Sequence, residues 1–138
     1  MAVGTSTYLA NAWLNVIRGN AAGTTYTAPS AIYMQLHTNG GSNLGPGSAG
    51  TSNVSGYGTR KAATFSASTT GVLSLTSTVV FDTWPSGATG ETIAHVAFFD
   101  AATGGNFLWS ATLSASKTMS TSDTLNVTGA SLTITPAS

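Results

Sequence analysis

Thr92-Ile-Ala-His-Val-Ala-Phe-Phe99 is followed by Asp100-Ala-Ala-Thr-Gly-Gly-Asn106 and then by Phe107-Leu-Trp-Ser-Ala-Thr-Leu113. The first stretch is apolar on both faces of an extended chain, which marks a strand at the centre of a sheet. Over Asn106–Leu113, Phe107, Trp109, Ala111 and Leu113 alternate with Leu108, Ser110 and Thr112, the period of a strand. Between them Gly104 and Gly105 can take the positive φ values that a hairpin loop requires. The spacing therefore predicts an antiparallel hairpin over residues 92–113, and the fold class follows from extending it outwards.

Upstream, Ala31–His37 places Ile32, Met34 and Leu36 on one face and Tyr33, Gln35 and His37 on the other. Arg60–Phe65, Val72–Leu75, Thr78–Phe81, Asp123–Val127 and Ser131–Thr135 are further short strands between Ser-, Thr- and Gly-rich turns. One segment, Tyr8–Arg18, has helical spacing, with Leu9, Trp13, Val16 and Ile17 on one face. Thr5, Ser6 or Thr7 can cap its start. Gly19 can end it in the left-handed conformation, with Arg18 in the last turn, where the helix dipole favours a cation. The apolar stripe has two readings: it packs on the chain's own core, or it docks on a neighbouring subunit. The expectation is a mainly β protein, an antiparallel β-sandwich or jelly roll with one short N-terminal α-helix. Residues 1–138 form one domain, with an N-terminal arm and helix over 1–19. Residues 38–58, nearly all Gly, Ser, Asn and Thr, form a long loop that orders against a neighbour or stays a surface loop.

Charge narrows the function. Charged residues make up 6% of the 138, four basic against four acidic, where a soluble domain usually carries about 25%. Catalysis by groups that gain, lose or stabilise charge needs such side chains gathered in one place. With no net charge, nucleic acid is not expected as a partner, because phosphate contacts need Lys and Arg. Arg60-Lys61, the one adjacent basic pair, reads as two solvated strand residues or a small functional patch. No basic amphipathic helix or lipidation motif points to a membrane. The chain has no cysteine, which removes disulfides and thiolate metal sites. The first residues carry neither a basic nor an apolar signal region, so a cytoplasmic origin is expected.

Several motifs tempt and then fail. Gly45-Pro-Gly47-Ser-Ala-Gly50 matches G-x-G-x-x-G, but no helix opens after it and no acid follows before Asp82. His95, Asp100 and Ser110 could be drawn as a hydrolytic triad, yet there is no G-x-S-x-G elbow. His95 reads instead as a hydrogen-bonded sheet residue, and Asp100 as a turn-forming side chain. A glycosidase needs two carboxylic acids on one site, and the four acids are scattered. His37 and His95 lie far apart in sequence, and no calcium-loop pattern occurs. No catalytic residue, cofactor or metal is expected. Trp and Tyr are enriched at interface hot spots, which makes Tyr57, Trp84, Leu44 and Trp13 the candidate assembly contacts. For the aromatic members a core role is the competing reading.

The chain resembles a family of small tailed-bacteriophage virion proteins, often labelled tail-fibre-like. The resemblance lies in Leu9-Ala-Asn-Ala-Trp-Leu14, Tyr26-Thr-Ala-Pro29 with Ile32-Tyr-Met-Gln-Leu36, and Ser55-Gly-Tyr-Gly-Thr-Arg60 with Ala63-Thr-Phe65. Its most specific part is Thr92–Asn106, with Leu108-Trp109, Lys117 and Asp123-Thr124 after it. The sequence departs from the family pattern at Thr38–Gly50, where relatives carry a shorter, more acidic turn. The resemblance implies a non-enzymatic virion component that is β-rich and homo-oligomeric, with a trimer favoured. Two placements follow. As a capsid decoration (cement) protein it would sit on the outer capsid surface and bind the phage major capsid protein, many weak uncharged contacts summing over the lattice. The alternative is a tail-fibre or tail-tip module that binds a host surface.

Overall fold

In a computed structural model of the chain, residues 5–19, 26–38, 58–68 and 70–134 are described. The expected loop over 38–58 and the first residues of the N-terminal arm fall almost wholly outside them.

Helix α1 spans Thr7–Ile17. Of the three candidate caps Ser6 is the one used: its side chain accepts a hydrogen bond from the Leu9 amide at 3.1 Å. Gly19 follows Arg18, the C-cap, with φ of 83°, the left-handed conformation that a glycine adopts without a steric penalty. Ser6→Ala is expected to lower stability by about 1 kcal/mol. Thermal unfolding would show this as a drop of roughly 4 °C.

Among the described residues eight strands follow: β1 Ile32–Thr38, β2 Lys61–Ala63, β3 Val72–Ser74, β4 Val79–Phe81, β5 Thr92–Phe99, β6 Phe107–Thr118, β7 Leu125–Val127 and β8 Ser131–Thr133. Four of them make an antiparallel sheet in the order β2-β1-β5-β6, so the doubly apolar strand β5 is interior as its sequence predicts. From Ile93 to Phe99 it is buried throughout. The other four pair as two antiparallel ribbons, β3 with β8 and β4 with β7. These ribbons supply Val79, Phe81, Leu125 and Val127 to the same core as Met34, Leu36, Val96, Phe98 and Trp109 of the sheet. The result is layered β packing (β on β) whose second layer is split into ribbons; the described strands do not form a jelly roll's pair of four-stranded sheets. Aromatic rings join the layers. Phe98 and Trp109 stack at 4.6 Å, and Phe65 meets them edge-on at 5.5 and 5.4 Å, the offset and T-shaped geometries their quadrupoles favour.

Strand β6 runs five residues past the predicted Leu113. His95 faces Thr112 and Ile93 faces Lys117, so a short piece of β5 spans a longer piece of β6, and Leu113–Ser116 bulges out. Pairing resumes at Thr92 and Thr118, whose hydroxyls lie 2.8 Å apart. Ser, Ala and Lys have weak strand propensity, so nothing in their own pattern announces this extension.

Candidate assembly surface

The chain enters α1 alongside β6. Thr5 bridges Trp109, and the Ser6 amide donates to the Leu108 carbonyl at 2.7 Å. Leu9 is then 3% exposed and Trp13 packs half-buried against the core. Beyond Trp13 the helix leaves the core: Leu14 is 63%, Val16 57% and Ile17 81% exposed. The reading in which the stripe packs on the chain's own core therefore holds for one half of the helix. The N-terminal turns dock in cis and the C-terminal turns present aliphatic side chains outward. Tyr26 and Ile134 flank those turns, and together they frame an open groove of about 630 Å³ with no charged residue among its described lining residues. Burial first, and then the neighbouring Tyr8 and Asp100, raise the pKa of the Tyr26 phenol above its usual value, so this ring stays neutral.

The four candidate contacts separate. Trp13 lines the groove. Trp84 is 1% exposed and its indole N–H donates to the Ala88 carbonyl at 2.9 Å. It is a core residue of the chain itself, which corrects its assignment as a contact. Position 84 lies between two strands, as the sequence indicates, but the 3-10 turn Ser86–Ala88 folds back to cover the ring. Tyr57 and Leu44 lie outside the described residues.

A second cluster has no counterpart in the sequence reading. Arg60 is half-buried, not solvated. Its Nε donates to Gln35 Oε1 at 2.9 Å, and its Nη1 to the carbonyls of Ala101 at 2.8 Å and Gly104 at 2.6 Å. The guanidinium carbon sits 3.4 Å from the centre of the Phe99 ring, a cation–π stack. Burial pulls the Arg60 pKa below its usual value while Asp100 acts the other way; an arginine so placed stays charged at any ordinary pH. Asp100 closes the same hairpin by accepting from the Asn106 amide at 2.6 Å and from its side-chain Nδ2 at 2.8 Å. Gly105 has φ of +69°, and a Cβ there would collide with the Asp100 carboxylate. Arg60 thus ties β1, β5 and the β5–β6 hairpin into one rigid tip. Its neighbour Lys61 behaves as expected, reaching Asp82 at 3.3 Å on the exposed surface, where an ion pair is worth little.

The triad that could be drawn is not assembled. Ser110 lies opposite Ala97 and His95 opposite Thr112, both buried, while Asp100 is engaged with Asn106 beyond the strand end. Among the described residues, no group of three or more His, Cys, Asp or Glu could hold a metal ion, and no helix is long and apolar enough to cross a membrane.

His95 pairs directly with His37 across β1 and β5, and the two side chains are 2% and 1% exposed. Burial lowers the His95 pKa below the ordinary imidazole value of 6.5. The unfolded chain therefore takes up a proton at this residue before the folded chain does. Stability is complete above the unfolded value and falls as pH drops through it. The melting temperature should be lower at pH 5 than at pH 7.5, and the difference should shrink in His95→Gln.

The described residues combine layered antiparallel β-structure, loops tied by local polar contacts and an apolar helix face. The family model described as Podophage GP4 fiber I protein gp80 matches residues 4–135, and the chain belongs to that family. It is therefore a structural component of a tailed-phage virion. No match was found among curated proteins.

Proposed function

We propose that this chain is a non-enzymatic fibre component of the virion, acting as a homo-oligomer (trimer favoured) and without a cofactor, nucleic-acid or membrane partner. The observation that carries the reading is the family match, which runs over nearly the whole chain and names a fibre protein. Two features of the described residues support it. Asp100 and Asp123 hold loops, through bonds to Asn106 and to the Ser120 amide, and do not converge on a common site. Among the described residues, four of the six exposed large hydrophobic side chains, Tyr8, Leu14, Val16 and Ile17, lie on α1. A second reading, capsid decoration through the major capsid protein at the outer head surface, is favoured by one observation: the described β-layers close on a single core cluster without a stalk repeat. Separating virions into heads and tails and quantifying the chain by mass spectrometry tests both. Recovery with tails supports the fibre reading. Recovery with heads, and saturable binding to stripped expanded capsids, replaces it with decoration.

A further inference from the structure

We propose that His37 and His95 together bind a divalent transition ion that favours nitrogen ligands (Zn²⁺, Ni²⁺ or Cu²⁺), which clips β1 to β5. The inference stands apart from the fibre and decoration readings and depends on neither.

The chain has two histidines, far apart in sequence, and the sheet brings them to directly opposite positions on β1 and β5. Residues paired in this way project from the same face of an antiparallel ladder, with Cβ atoms about 5 Å apart. Two imidazoles at that separation can share one ion at the roughly 2.0–2.1 Å of a metal–nitrogen bond. The pair needs one ring nitrogen from each histidine. The other nitrogen of a ligating imidazole ordinarily holds a partner in the protein.

The ladder changes on both sides of the pair. The β1–β5 register shifts between His37 and Thr38, and the β5–β6 register shifts between Ile93 and His95. Such bulges re-aim side chains and recur beside functional sites, and here two of them abut the same two residues. Among the described residues, His95 Nε2 is buried and has no hydrogen-bond partner. A buried polar atom in that state is costly, and a bound ion or water is an ordinary reason for a fold to keep one.

Donor chemistry selects the ion. Imidazole nitrogen suits zinc, copper and nickel, whereas magnesium and calcium take oxygen ligands. Burial favours the neutral imidazole, the form that binds metal. Among the described residues no third His, Cys, Asp or Glu completes the set, so water takes the remaining positions. Thr112 lies opposite His95 on β6 and is exposed, which puts solvent at that end of the row.

The test uses the untagged full-length chain, stripped with a chelator and then titrated with Zn²⁺ alone. Calorimetry should show one ion per chain, bound more tightly than about 100 µM. Zinc at about 100 times its Kd should raise the melting temperature by roughly 10 °C, and Mg²⁺ should not. His37→Gln and His95→Gln should each weaken zinc binding by more than about tenfold. Both side chains are buried, so a second measurement avoids substitution. With isotopically labelled histidine, zinc should shift the ring-nitrogen resonances of both residues together and saturate at one equivalent. Absence of binding up to about 100 µM overturns the inference. So does a shift of one ring alone, or of neither. Binding that survives both substitutions in folded protein also overturns it, and would mark adventitious zinc on other groups.

Discussion

Trp84→Ala should lower the melting temperature of the isolated chain by roughly 12–20 °C, the equivalent of about 3–5 kcal/mol for a buried tryptophan in a protein of this size. Two losses coincide. The ring leaves a cavity in a core cluster whose members have no exposure to give up, with Ala88 1% and Met119 0% exposed. The Ala88 carbonyl loses its donor, Nε1 at 2.9 Å. The backbone here is also tied, by bonds that alanine keeps: the amide of residue 84 donates to the Asp123 carbonyl and its carbonyl accepts from the Ser122 amide, joining the turn between β4 and β5 to the turn before β7. Thr83 and Ser122 hold positive φ on either side of that joint. Non-glycine residues take such values at a cost that packing around them must offset. Trp84→Phe keeps most of the volume but not the donor and should recover more than half of the loss. A Trp84→Ala protein that melts within about 2 °C of wild type, a difference expected of a surface substitution, would show that the indole is not part of the core.

The contrast between Trp84 and Trp13 shows what the sequence can and cannot convey. Alternation and apolar runs report which residues want to leave water, and they placed β1, β5 and the start of β6 almost residue for residue. They do not report what a side chain meets when it leaves. Trp84 sits in an irregular segment with no period, so its burial depends on a fold-back at Ser86–Ala88 that only long-range packing fixes. Trp13 lies in a clear helical stripe, yet the core ends partway along that stripe and leaves Ile17 81% exposed. Period gives a face, and neighbours decide where the face stops being covered. The split of the second layer into ribbons was hidden for a similar reason. Three-residue strands such as β3 and β8 carry too little pattern to encode a partner, and their pairing is non-local. Arg60 is the instructive omission. Its chemistry is ordinary and its flank is Gly- and Thr-rich, so composition reads it as a solvated cation. A signal was nevertheless present. Ser55–Arg60 and Thr92–Asn106 are two of the stretches that carry the family resemblance, and since neither offers catalytic chemistry a structural role is what the pattern leaves for Arg60.

That role gives the other large expected effect. Arg60→Ala should destabilise the chain by about 2–3 kcal/mol, a fall of roughly 8–12 °C in melting temperature. The figure follows from what is stranded. Gln35 is 7% exposed, so the oxygen that accepts from Arg60 at 2.9 Å cannot simply turn to water. The bond to Ala101 is half-buried and counts with it, whereas the bond to Gly104 is exposed and counts for little. The stack on Phe99 adds on the order of 1 kcal/mol, because the ring is buried on its other side. Arg60→Lys separates charge from geometry. A lysine keeps the positive charge near Asp100 but is a point donor that cannot lie flat on Phe99 while reaching Gln35 and the hairpin together. If the planar fork is what matters, Arg60→Lys should recover less than half of the loss; if the charge is, it should recover most of it. Local amide exchange decides whether the effect sits where the bonds are. In Arg60→Ala the amides of Gly104, Gly105 and Asn106 should exchange faster by more than the global loss of stability allows, while those in the interior of β5 should track it. Equal acceleration throughout the sheet would mean that Arg60 stabilises the fold as a whole and does not hold the hairpin tip.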